Sequence, residues 1–278
     1  MSKHEHSAEN EKTDEKTKSF AERLKENIVR LKDRLLDAIF PEDITCDICG
    51  EELVADTRYR ICAQCMEDMP FVEGKRCTVC GVPMKDEAEY CLRCQHAPDS
   101  FVKNRSPLVY EGKAKQLIYQ MKFANKSYIA KTLGALMADE YLNDDMGCEI
   151  ITFVPMSEGE KKKRGFNQSE LIAYEVGRRL NMPVLPALEK IKDTPSQKEM
   201  TGTQRAQNLK SAFVCVYDVV KDRKMLLIDD VFTTGATANE CSNVLLKAKA
   251  RSVCVLTAAV TPRRIDGERA DGKSVGTE

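Results

Sequence analysis

Two carboxylates stand side by side at Asp229 and Asp230. A run of small and hydroxylated residues follows them: Thr233, Thr234, Gly235, Ala236 and Thr237. The apolar run Met225, Leu226, Leu227, Ile228 precedes the pair and has the unbroken character of a central parallel strand covered on both faces. From Ala238 onward, Cys241, Val244, Leu245 and Ala248 recur at helical spacing. Strand, acidic pair, hydroxyl-glycine loop and helix together describe a cradle for a phosphorylated sugar. Loop amides and hydroxyls can surround a phosphate at a helix N-terminus, where unpaired N–H groups and the helix dipole favour an anion. The carboxylates would repel a bare phosphate, so they suit sugar hydroxyls and, indirectly, a metal. No Lys-Ser/Thr pair follows the glycine, which separates this loop from the phosphate loop of nucleoside triphosphatases.

Eight cysteines between residues 46 and 94 form four pairs: Cys46 with Cys49, Cys62 with Cys65, Cys77 with Cys80, and Cys91 with Cys94. Two intervening residues let both thiolates of a pair reach one tetrahedral zinc. Cys49-Gly50 and Cys80-Gly81 read as knuckle turns, where glycine lets the backbone bend back to the metal. A knuckle pair plus a plain pair, used twice, is an internal repeat. The simplest assignment puts one zinc ion in Cys46, Cys49, Cys62 and Cys65 and a second in Cys77, Cys80, Cys91 and Cys94; an interleaved pairing fits the spacing too. Four thiolates leave no open position, so both sites read as structural, with redox dithiols as the rival reading. So short a segment has little core of its own, and metal would drive its folding. Chelation is therefore expected to unfold residues 46–94 and spare the rest. Cys148, Cys215, Cys241 and Cys254 lie in apolar patterns and are expected in the core.

The elements that position these groups can be read around them. Residues 101–131 carry Lys103, Arg105, Lys113, Lys115, Lys122, Lys126 and Lys131 against Glu111 alone, with Tyr110, Tyr119, Phe123 and Tyr128 interleaved. Cations among aromatics can hold single-stranded DNA through phosphate contact and base stacking. Equally, Leu117, Ile118 and Met121 can form the core face of a helix whose lysines are its wet side. Cys148–Met156 reads as a buried strand, 158–164 as a polar mobile segment, and a helix starts at about Ser169. Phe213–Val216 and Ser252–Val260 read as further strands.

At 278 residues the chain has room for one ordinary domain and a smaller one. A net charge of −1 implies no polyanionic partner by itself. The sequence contains no run long enough to span a membrane and no secretory signal, so a cytoplasmic location is expected and the cysteines are not read as disulfides. Residues 1–18 read as a disordered tail and 263–278 as a frayed one. Between 19 and 41, Phe20, Leu24, Ile28, Leu31, Leu35 and Ile39 mark one face of an amphipathic helix, expected to dock on the body of the protein or on a second subunit as a homo-oligomer contact.

The stretch from Asp229 to Thr237 resembles the phosphoribosyl pyrophosphate (PRPP) motif of type I phosphoribosyltransferases. That resemblance implies that Asp229 and Asp230 hold the ribose hydroxyls and that Thr233, Thr234, Gly235, Ala236 and Thr237 hold the 5′-phosphate. It also implies Mg²⁺ bridging pyrophosphate and ribose oxygens, and main-chain groups after Val154 facing the pyrophosphate. Arg164 offers a planar donor fork and is read either as a residue that reaches the pyrophosphate or as a plain surface arginine. Four zinc-spaced pairs, Met121-Lys122-Phe123, Arg164-Gly165-Phe166-Asn167-Gln168, Arg205 with Asn208-Leu209, and then the acidic motif follow in an order that closely resembles the ComF family. These are phosphoribosyltransferase-like proteins with an N-terminal zinc ribbon, associated in some bacteria with natural competence.

The implied fold is α/β: a type I phosphoribosyltransferase-like parallel sheet with flanking helices over 99–262, preceded by a small double zinc ribbon domain over 42–98. An acceptor hood would come from residues 101–130. The implied function is PRPP binding linked to DNA uptake, as a transferase with an unnamed acceptor. The alternative is a non-catalytic module that binds single-stranded DNA, or a protein adaptor for a helicase or another competence protein. Two positions depart from the family pattern. Met156, Glu158 and Glu160 stand in a loop that is usually more basic and proline-rich, and Lys249 stands where a glycine often closes the helix.

Overall fold

The computed structural model describes residues 45–53, 57–85, 88–97, 99–191 and 212–262. The expected helix at 19–41, both tails and the Arg205–Leu209 motif lie outside them. The strands, in chain order, are β1 (Asn104–Arg105), β2 (Leu108–Val109), β3 (Ile150–Phe153), β4 (Leu188–Lys190), β5 (Phe213–Cys215), β6 (Lys224–Phe232) and β7 (Ser252–Val260). β3, β6 and β7 form a parallel sheet with β6 between its neighbours, and β1 and β2 both line the far side of β7. β4 and β5 pair antiparallel beside it. Met225 to Ile228 are fully buried, as an apolar strand covered on both faces must be. Residues 104–109 are thus sheet edge, not hood.

Among the described residues there are seven α-helices: α1 (Ala63–Glu67), α2 (Leu92–His96), α3 (Gly112–Phe123), α4 (Ile129–Asp144), α5 (Glu158–Arg164), α6 (Gln168–Leu180) and α7 (Ala236–Lys247). On α3, Leu117, Ile118 and Met121 face the core while Tyr119 and Phe123 stay exposed. The basic band is not continuous. Lys103 and Arg105 both pair with Asp144, and Lys122 pairs with Asp230. Among the described residues no helix is long and apolar enough to cross a membrane.

Two expectations change. Residues 158–164 are helical, not mobile. The Ser157 hydroxyl accepts from the Glu160 amide at 3.3 Å, and the Glu160 carboxylate accepts from the Ser157 amide at 3.2 Å. This reciprocal cap, with acids in the first turn and Lys161 to Arg164 in the last, suits the helix dipole. Cys241 and Cys254 are buried as expected, but Cys148 and Cys215 are only partly so.

Lys249 adopts φ +70°, the left-handed conformation that a glycine would take without strain. Its amide donates to the Leu246 carbonyl and that of Ala250 to the Leu245 carbonyl, which closes α7 with a Schellman pattern. Lys249→Gly is therefore expected to stabilise the chain by about 1 kcal/mol in urea unfolding.

Candidate functional site

The cysteine pairs gather sequentially. Within each set, Cys46, Cys49, Cys62, Cys65 and Cys77, Cys80, Cys91, Cys94, the ligand atoms lie within 4.8 Å of one another. A tetrahedral zinc with Zn–S of about 2.3 Å sets its sulfurs about 3.8 Å apart. Cys49 and Cys62 Sγ are 3.7 Å apart, and Cys80 and Cys91 Sγ 3.5 Å, so both sets fit the ion. Gly50 (φ +80°) and Gly81 (φ +70°) make the knuckle turns, each amide donating to the carbonyl of the first cysteine of its pair. Burial alone would push the Cys46 and Cys77 thiols up. Surrounding amides outweigh it, those of Cys49, Cys62 and Ile48 at the first and of Cys91, Cys80 and Val79 at the second, and bring each down to about 7.

Both ribbons are docked. The first lies on α3 and α4: Gln116 and Gln120 each donate to the Ile48 carbonyl, and the Thr132 hydroxyl donates to buried Asp47. Cys46, Ile48 and Ile61 share one apolar core with Leu117, Ile118 and Leu133. The second ribbon lies on β1. Asn104 donates to the Cys80 carbonyl at 2.9 Å, and Arg105 to that of Thr78 at 2.9 Å.

The other constellation sits at the carboxyl ends of β3 and β6, where open parallel sheets place ligands. The Val154 amide donates to the Ile228 carbonyl at 3.0 Å, so the turn after β3 runs beside the acidic pair. Asp229 and Asp230 lie within β6, not in the loop beyond it. Successive strand residues face opposite sides. Asp229 accepts from the Ser169 hydroxyl at 2.9 Å, and Asp230 pairs with Lys122 at 2.7 Å. Burial, then the charge of Asp230, push the Asp229 carboxyl up to about 7 against the pull of the Asp230 amide, Lys122 and Ser169.

Asn167 ties this side together. Its carbonyl oxygen accepts from the Ser169 amide as the cap of α6, and its amide nitrogen donates to the Val154 carbonyl at 3.0 Å.

Gly235 is the N-cap of α7 at φ +81°, and a Cβ there would come within 2.7 Å of the Phe232 ring. Thr233 and Thr234 form the loop, whereas Ala236 and Thr237 already belong to the first helical turn. Their amides have no partner within the helix, and that of Ala236 donates to the Thr234 hydroxyl at 3.4 Å. Arg164 ends α5 with its guanidinium 5.4 Å from the centre of the Phe123 ring. Lys122, Ser169 and Asn167 therefore join the expected acids. The sequence shows Lys122 and Asn167 only inside longer motifs and Ser169 only as a helix start, with nothing local to link them to Asp229 or Asp230.

Residues 35–95 match the double zinc ribbon domain family. The chain is similar to DNA utilization protein YhgH of Escherichia coli (strain K12), at 30% identity over 216 residues that cover 76% of this chain and 94% of that protein. It is also similar to competence protein F of Haemophilus influenzae, at 31% identity over 196 residues covering 67% and 82%. A solved structure of glutamine phosphoribosylpyrophosphate (PRPP) amidotransferase from B. subtilis, complexed with ADP and GMP, aligns with a TM-score of 0.34 at 21% identity, over 46% of this chain and 26% of that one.

Protein purified without added metal is expected to hold two zinc ions per chain by elemental analysis; one or none would rule out the paired sites. Because the ribbons share the core, a chelator is expected to lower the unfolding midpoint of the whole chain in one transition. The acidic pair gives a pH dependence. The folded pKa of Asp229, about 7, lies above its ordinary 3.8, so its contribution to stability is full below that lower value and is lost as pH rises through about 7. Asp229→Asn is expected to stabilise the fold by at least about 1 kcal/mol at pH 8 and to make little difference at pH 4, read by urea unfolding.

Proposed function

The chain belongs to the ComF family, and from that premise we propose that it binds PRPP with Mg²⁺ at the end of β6 and acts as a phosphoribosyltransferase-like protein in DNA uptake. One observation carries this reading: two carboxylates lie near the carboxyl end of a buried strand, three residues before a hydroxyl-glycine loop that leads into the N-terminus of α7. Asp229 and Asp230 would take the ribose diol, and Thr233, Thr234 and the amides of Gly235 to Thr237 the 5′-phosphate. The turn after Val154, held by Asn167, would face the pyrophosphate, with Arg164 near its entrance. Mg²⁺ would neutralise the departing pyrophosphate, keeping several of its waters. Displacement at the anomeric carbon builds positive charge on the ribose, which ionised Asp229 and Asp230 would stabilise. Lys122 pairs with Asp230, so a diol would displace that pair.

A second reading has a narrower footing. Tyr119 and Phe123 are exposed with ring centres 4.7 Å apart, on the helix that also carries Lys113 and Lys115. Stacked bases and phosphates of single-stranded DNA would suit that face, and the similar proteins are named for DNA utilization and competence.

Calorimetry with PRPP and Mg²⁺, beside a single-stranded DNA titration against salt, separates the two. Under the first reading Asp230→Asn weakens PRPP binding by roughly 1.5–3 kcal/mol and Thr234→Ala by about 1 kcal/mol. Gly235→Val does more harm than either, because its branched side chain would meet Phe232 and resist the positive φ. No heat with millimolar PRPP, or wild-type affinity in Asp230→Asn, would refute it.

A further inference from the structure

The second ribbon reaches the loop that precedes α7. Arg93 stands beside the metal-ligating Cys94, and its Nη2 donates to Cys94 Sγ at 3.4 Å. Both its Nη groups grip the Asp99 carboxylate, whose side chain is 4% exposed, so the guanidinium is held in one place. Held there, it lies 5.9 Å from the centre of the Phe232 ring. Its Nη1 is 3.4 Å from the point where a Cβ on Gly235 would sit. Just beyond Asp99, the Ser100 amide donates to Asn239 and its hydroxyl to Asn243, both at 2.6 Å. Those asparagines are one turn apart on α7. The segment leaving the second metal site thus grips the loop at Phe232 and Gly235, and the helix behind it.

The internal repeat supplies a control. In the first ribbon the equivalent position is Gln64, between Cys62 and Cys65, and it is exposed and uncharged. The first ribbon's own contacts run to α3 and α4. A zinc-bound cysteine is a thiolate, and its hydrogen bond from a guanidinium is charge-assisted. Metal at the second site therefore bears on Arg93 directly.

Building on the PRPP reading, we infer that Arg93 is a positioning residue that ties the second zinc site to the phosphate loop. Zinc at Cys77, Cys80, Cys91 and Cys94 fixes the guanidinium, and the guanidinium fixes Phe232 and the Gly235 turn. Phosphate affinity then follows zinc occupancy at the second site and is indifferent to residue 64 of the first.

The test uses full-length, zinc-loaded protein and two readouts: hydrogen exchange of the amides of residues 233–238, and PRPP calorimetry. Arg93→Gln is expected to keep both zinc ions by elemental analysis, yet speed exchange in that stretch and weaken PRPP binding, each by about tenfold. Arg93→Lys recovers part of the affinity, and Gln64→Ala changes neither readout. Asn239→Ala alters no ribbon residue and shifts both readouts in the same direction as Arg93→Gln. It decides the matter if Arg93→Gln fails to hold zinc. Unchanged loop exchange in Arg93→Gln and Asn239→Ala overturns the inference whatever PRPP does. Faster exchange in those variants, with no PRPP heat in the wild type, upholds the zinc-to-loop link and overturns only the PRPP reading.

Discussion

The register of β6 fixes where the acidic pair can act. Ile228 is paired with Phe153 on one side and with Leu256 on the other, so Asp229 is the first residue past the fully buried stretch. A slip of one residue would send each carboxylate to the opposite face of the sheet. Asp229 would lose Ser169 and Asp230 would lose Lys122. The strand can carry adjacent acids only because its ends differ in environment. Three further anchors depend on this register: the Asn167 bridge to Val154, the salt bridge from α3, and the tight turn at Gly235 against Phe232.

The ribbons extend that arrangement rather than standing apart from it. Asp144, at the end of α4, accepts from Lys103, Arg105 and Arg76 and so joins the sheet edge to the second ribbon. Such a shared acid is held by partners from separate parts of the chain, and removing it would leave several cations facing one another. Its carboxyl is raised by burial but held below its ordinary value overall by Arg105 and Lys103. The second ribbon also packs over β1, the outermost part of the sheet, where exposed strand edges invite pairing with other chains.

Sequence legibility followed the range of the interactions. β7 is readable to its last residue because an apolar run interrupted only by Thr257 has few alternatives, and the two four-cysteine sets are readable because metal spacing is local. The charge of the α5 segment points away from a packed helix, whereas Ser157 and Glu160 at cap spacing point to one. Lys249 shows the reverse: its departure from glycine was visible, and the chain accepts the left-handed angle regardless. Lys122, Ser169 and Arg93 were out of reach for a different reason. Lys122 and Ser169 meet the acids, and Arg93 meets Phe232, through the fold, and no periodicity or spacing in one segment encodes a neighbour from another.

One feature of the sheet bears on how the chain comes to be folded. Among the described residues, β1 and β2 are the first strands synthesised, and both pair with β7, the last. As the chain emerges from the ribosome, Asn104 and Leu108 must wait for Val255 and Ala259. The cysteine clusters close over short stretches of chain and need no such wait. During synthesis the metal-bound second ribbon can therefore cap β1 before its strand partner exists, shielding an unpaired edge.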